Sequence, residues 1–301
     1  MGGGAPHIDD RKVRAVEAIA NAAFDGGLED YLTAKERALL EKPYQTWGQD
    51  DFDQGMHWES FGVLQWLLGR QHKIPHYFAN FDRASLFQAT GVMPANPSTI
   101  DAFVNSYMSA QAHHLLDTSR LRHEVAVAEA WNWRARVQVV MDLRDQILEE
   151  AAAKAGRKLE QGPPEEEDEA RVVDRIMAEK RVPRSLRRMV RDLDQVVRTA
   201  TGRAIERSLI ENSADDDFGI TVELKPEEVR AGGQRETVLP YSKLDSKVHD
   251  SLRRISEARL FAFAWAVSKL EDWDIEHMAE LGSIGPIGSI WAPDDDHGDS
   301  P

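Results

Sequence analysis

Apolar residues recur three or four positions apart through most of the chain, which predicts helices. After Asp9-Asp10, which can cap, Val13, Val16, Ile19, Ala20, Ala23 and Phe24 mark one helical face until Gly26-Gly27. Thr33-Ala-Lys-Glu36 has the form of a capping box and predicts a short helix that stops before Pro43. A further helix is expected from Asp50–Asp53 to Gly69. Its second half, Trp58 to Leu68, is apolar on nearly every face, which suits the centre of a bundle. Shorter pieces follow at Asp82–Thr90 and from Ser98, where Ser98-Thr-Ile-Asp101 reads as a start signal. Leu121, Val125, Ala128, Ala135, Val139, Leu143 and Ile147 then trace one helix from Thr118 or Ser119 toward Gly156. At about 35 residues it exceeds an ordinary globular helix, so a kink or break is expected.

The second half changes character. Residues 156–169 read as a solvated linker, because Gly162-Pro163-Pro164 followed by Glu165–Glu169 cannot pack. Arg171–Arg207 reads as a helical stretch of opposite sign, and Ile220–Leu224 with Glu236–Leu239 as a small β-ribbon. A last helix is expected over Ser246–Leu281, and a flexible tail after it. The predicted organisation is one domain built from residues 8–155 and 216–281, interrupted by an acidic linker and basic helical insert at 156–215, with a tail at 282–301. The fold class is mainly α: an orthogonal multi-helix bundle with one small β-ribbon before the last long helix.

Composition narrows the chemistry. With no cysteine among 301 residues, disulfides, thiolate metal sites and cysteine nucleophiles are excluded. The chain carries 37 Lys+Arg against 52 Asp+Glu, a net charge of −15, so its average field opposes phosphate polymers and anionic lipid. The balance is uneven. Arg171–Arg207 holds eleven basic residues against five acids, a net of +6, which leaves −21 on the rest. Nucleic acid is therefore unfavoured as a partner except through this segment, which also lacks any Phe, Tyr or Trp for base stacking. No apolar run reaches the ~18 residues of a membrane span, and Met1–His7 has no charged leader region. A cytoplasmic protein without membrane contact is expected. Nothing in the sequence sets an oligomeric state.

Familiar catalytic signatures are missing. There is no phosphate-binding loop, no Gly-x-Ser-x-Gly and no Ser-x-x-Lys, and Gly282, Gly285 and Gly288 lack nucleotide-loop spacing. No cofactor is expected. His57-Trp58-Glu59 echoes the His-x-Glu of zinc deaminases, which need thiolates that this chain cannot supply. His113 and Asp117 share a helical face near His114 and His123, but Asp117 sits where a helix cap is needed. His249-Asp250 is a doublet expected by chance. No metal site is predicted.

What remains is the tryptophan-rich helix. At about 100° per residue, Glu59 and Trp66 fall on one face about 20° apart. A carboxylate on a buried face must be protonated or paired. The available partners are Arg134, beside Trp131 and Trp133, and Arg259 on the last helix. Either a structural Glu–Arg network or a pocket using the same groups would satisfy this pattern.

Three blocks of residues resemble an uncharacterised bacterial family, catalogued as domain of unknown function 4272. They are Leu32–Pro43 with Glu59–Gly69; Arg122-His-Glu124 followed by Arg134; and Leu239–Leu244 running through Arg259, Ala262 and Trp265 to Asp272-Trp-Asp274. In order and spacing they span about residues 11–277. Where the family carries Glu, His, Asn and Trp, this chain has Ala258, Leu260, Ala264 and Val137. The resemblance implies a helical fold in a bacterial cytoplasm and brings no activity with it. It adds Trp265 and Asp274 to the candidate buried cluster, which is then Glu59, Trp66, Arg134, Arg259, Trp265 and Asp274. The function expected is a non-catalytic interaction module, an accessory or immunity-type protein that binds another protein. The alternative is a small-molecule-binding protein or hydrolase using a Glu/Arg pocket.

Overall fold

The computed structural model describes residues 10–25, 27–54, 57–93, 96–108, 117–154, 169–182, 184–223, 235–267 and 273. It is mainly helical, with one small antiparallel sheet before the last long helix. The helices are α1 (Asp10–Asp25), α2 (Ala34–Glu41), α3 (Gln49–Gln54), α4 (Trp58–Leu67), α5 (Arg83–Thr90), α6 (Pro97–Met108) and α7 (Thr118–Lys154). Then come α8 (Glu169–Glu179), α9 (Arg184–Arg191) and α10 (Leu193–Glu206), the strands β1 (Ser213–Ala214), β2 (Asp217–Glu223) and β3 (Glu236–Pro240), and α11 (Ser246–Ala266). The chain falls into two compact units, residues 1–121 with 258–282 and residues 122–257 with 283–301.

Local signals explain most helix ends in the first unit. The Thr33 hydroxyl accepts the Glu36 N–H at 3.2 Å while Glu36 accepts the Thr33 N–H at 2.9 Å, so the expected capping box forms. Asp82 caps α5 by accepting the N–H groups of Ala84 and Ser85. Asp117 caps α7 by accepting from Ser119, which is the role its position favoured over metal binding. Gly27 and Gly69 end α1 and α4 in the left-handed region, each closing a Schellman pair of backbone hydrogen bonds. Two expectations shift. The single helix predicted over 50–69 is two, α3 and α4, and α6 starts at Pro97 rather than at Ser98. Proline's fixed φ and missing N–H suit the first helical position.

α7 runs for 37 residues without a break, about 55 Å at 1.5 Å per residue. Thr118–Lys154 contains neither glycine nor proline, and length alone does not break a helix. The basic stretch is helical, as expected, and is built of three helices. Arg181 takes the left-handed conformation (φ 60°), Val182 N–H donates to the Met177 carbonyl and Arg181 N–H to that of Ala178, a Schellman end. Val182 and Met177 then pack in one apolar cluster with Ile147, Val173 and Val190. Packing offsets the strain of a non-glycine residue there, about 1–2 kcal/mol. The ribbon gains a third strand by the same means. Asp215 and Asp216 both have positive φ (48° and 62°), so a two-residue turn folds β1 onto β2. β2 pairs with β3 in antiparallel register, Ile220 opposite Leu239. Gly219 permits a close approach, since a Cβ there would lie 2.9 Å from the Asn212 carbonyl. The linker predicted at 156–169 lies almost wholly outside the described residues, as do the tail and nearly all of the last helix predicted beyond Ala266.

Candidate functional site

The candidate residues divide between the two units, and each unit builds its own arginine–carboxylate cluster. In the first, Glu59 stands on the opening turn of α4 and Arg259 on α11. Arg259 Nε donates to Glu59 Oε2 at 2.9 Å, and Nη2 lies 2.8 Å from the same oxygen as the second contact of the ion pair. The remaining N–H groups reach backbone carbonyls: Nη1 to Pro75 at 2.7 Å and His76 at 3.3 Å, Nη2 to Ala79 at 2.7 Å. Each of the three guanidinium nitrogens therefore has a hydrogen-bond acceptor. Glu59 Oε1 accepts the Phe81 N–H at 3.0 Å. Arg259 is fully buried (0% exposed) with its charge over the rings of Tyr77 and Phe81, and the Glu59 side chain is 13% exposed. Gly62 lets Phe81 lie against α4, because a Cβ at that position would fall 2.6 Å from a ring carbon. The cluster thus fastens segment 75–81 between two helices.

Trp66 is buried, edge-on to Phe263 at 6.0 Å and under the guanidinium of Arg120. Trp265 does not belong to a buried cluster. It is 41% exposed and packs against Trp273, because the continuous buried run of α11, Leu260–Ala264, ends just before it. Asp274 lies outside the described residues.

Arg134 finds a different carboxylate from the one considered for it. On α7 it is 0% exposed and forks onto Asp217 of β2, Nε to Oδ1 at 2.6 Å and Nη2 to Oδ2 at 2.7 Å. Nη2 also donates to Gln138, whose amide continues to Asp142. Asp217 in turn accepts the Phe218 N–H at 2.7 Å and the Ser242 N–H at 2.9 Å. Burial raises the pKa of Asp217, but the hydrogen bonds and charge of Arg134 with the two backbone donors outweigh it and hold it below the ordinary value. The Tyr241 ring lies 4.5 Å from the Arg134 guanidinium carbon, and burial pushes its phenol up to about 12. Asp217, Tyr241 and Gln138 were not among the sequence candidates. The signal for Asp217 was hidden in the run Asp215-Asp216-Asp217, which reads as a loop.

The histidine motifs are absorbed by the fold. His249 brings Nε2 within 2.7 Å of the Tyr241 carbonyl and stacks on its ring. His57 precedes α4, where burial lowers its pKa, and Glu59 beside it is held by Arg259. No group of three or more metal-ligating side chains occurs among the described residues. His113 and His114 lie outside them. Nor is any described helix long and apolar enough to cross a membrane.

Part of the basic segment is neutralised at home. Arg187 pairs with Asp174 at 3.0 Å, Arg191 with Asp192 at 2.9 Å and Arg198 with Asp216 at 3.1 Å. Chemically, Glu59 and Asp217 each have both oxygens engaged within their own unit, so neither oxygen pair stands ready as an acid or base toward a substrate. No protein-family model, no functionally described protein and no solved structure matches the chain.

Proposed function

We propose that the protein is a non-catalytic interaction module of the bacterial cytoplasm, of the accessory or immunity type, whose partner is another protein. One observation carries this reading: the groups with the most chemical potential, Glu59 with Arg259 and Asp217 with Arg134, are spent on holding their own units together. A general acid or base must reach a substrate proton, and an anion-binding arginine must keep donors free. Each nitrogen of Arg259 already has an acceptor. The rival reading, a Glu/Arg pocket that binds or hydrolyses a small molecule, requires Glu59 to leave both Arg259 and Phe81.

The test is in-cell cross-linking in the producing bacterium, followed by affinity purification of the tagged chain at low salt. A second protein in fixed ratio to the chain is expected. Recovery of the chain alone, with turnover of a small-molecule substrate abolished by Glu59→Gln, would replace the module by the rival reading.

A further inference from the structure

Which surface such a partner would use follows from the charges left over on α8 and α9. Val173, Met177 and Val190 turn inward against Ile147 of α7, so the opposite faces of both helices meet solvent. Arg171, Lys180, Arg181, Arg184 and Arg188 are exposed there, Arg188 to 78%. Arg184 and Arg188 stand one turn apart on α9, and Lys180 and Arg181 lie in the turn that follows α8 and leads to them. Of the acids on these helices, Asp174 is committed to Arg187 and Asp192 chiefly to Arg191, with Arg188 only at 3.9 Å, while Glu179 stands exposed beside Lys180. A chain with a net charge of −15 therefore presents five exposed cations against one exposed uncommitted acid, Glu179, along α8, α9 and the turn between them.

We infer that this cationic rim of α8 and α9 docks an acidic polypeptide segment of the partner; the inference rests on the interaction-module reading. Four of the five cations are arginines, whose planar forks match carboxylates in two-point contacts. At physiological salt, screening over about 8 Å lets the local patch act despite the opposite charge elsewhere. A long nucleic acid would run beyond the patch onto the acidic remainder, and residues 171–207 offer no aromatic ring to a base. A short acidic peptide needs only the patch.

Full-length chain is titrated, by fluorescence anisotropy, with a labelled peptide of about eight glutamates and with an oligothymidylate of similar charge at about 150 mM salt. The variant R184E/R188E alters only exposed side chains. The variant K12E/R83E makes the same change in net charge elsewhere, on α1 and α5, and thermal melts confirm that both are folded. The wild type is expected to bind the peptide more tightly than the oligonucleotide, R184E/R188E to bind it at least tenfold more weakly, and K12E/R83E to match the wild type within twofold. No peptide binding, equal loss in both variants, or tighter binding of the oligonucleotide overturns the inference. So does a salt-sensitive dimer that R184E/R188E abolishes, which would put a second copy of the chain on this face. If cross-linked cells still yield the partner with R184E/R188E, only the docking face is wrong. If they yield none with the wild type, the module reading itself falls.

Discussion

Replacing Glu59 with alanine should destabilise the first unit by about 3–4 kcal/mol. The substitution removes the carboxylate that pairs with a fully buried guanidinium and leaves Nε without a partner among the described residues, while Nη1 and Nη2 keep their carbonyls. Taking one partner from a buried ion pair costs about 3–5 kcal/mol. The carbonyls of Pro75, His76 and Ala79 soften that figure, and the loss of an acceptor for the Phe81 N–H adds about 1 kcal/mol. For a chain of 301 residues the melting temperature should fall by roughly 5–6 °C. Thermal unfolding followed by circular dichroism, with urea melts as a second measure, reads the change. Glu59→Gln keeps an oxygen toward Phe81 or Arg259 and should lose about half as much. An unchanged melting temperature in Glu59→Ala would refute the claim that Arg259 depends on this carboxylate.

Three further substitutions examine other parts of the account. Gly62→Ala should destabilise by about 1–2 kcal/mol, because crowding Phe81 outweighs the gain of about 1 kcal/mol in helix propensity; a stabilised variant would show that Phe81 can yield. Asp217→Asn should cost about 3–5 kcal/mol at neutral pH by stranding Arg134. Because the folded pKa of Asp217 is lowered, that difference is fully present above its unfolded value, about 4, and is lost as pH falls through the lower folded value; denaturant melts from pH 7 to 3 that keep a constant gap would contradict this. Tyr241 has a raised folded pKa, so its contribution is intact below pH ~10 and declines between there and about 12. Tyr241→Phe should be within about 1 kcal/mol of the wild type at pH 7, since the hydroxyl has no hydrogen-bond partner among the described residues, and should remove that alkaline decline.

Much of the fold was legible because helix signals are local. The capping box at Thr33–Glu36, the Asp82 and Asp117 caps and the glycine ends at Gly27 and Gly69 each act within a few residues. What the sequence concealed were ends made by the wrong residue for the right tertiary reason. Arg181 and Ser208 adopt left-handed conformations that favour glycine, and what anchors them is the burial of Val182 and Leu209 beyond them. The Asp215-Asp216 turn is of the same kind. The candidate site was half legible. An apolar helix bearing Glu59 demanded a cation, and Arg259 supplied it, but helical spacing does not choose between two arginines far along the chain. Arg134 went to Asp217, a pairing across 83 residues that depends on the register of β2 against α7. Trp265 was misjudged because hydrophobicity does not reveal which end of an apolar run meets solvent.

The most direct test combines partner recovery with the state of the buried pair. Wild type and Glu59→Gln are cross-linked in the producing cells at a temperature where both remain folded, and the co-purified protein is quantified against the chain. The account predicts the same partner in the same ratio for both, with a lower melting temperature only in the variant. Loss of the partner in Glu59→Gln with its melting temperature unchanged would place function on the Glu59–Arg259 cluster and contradict the account.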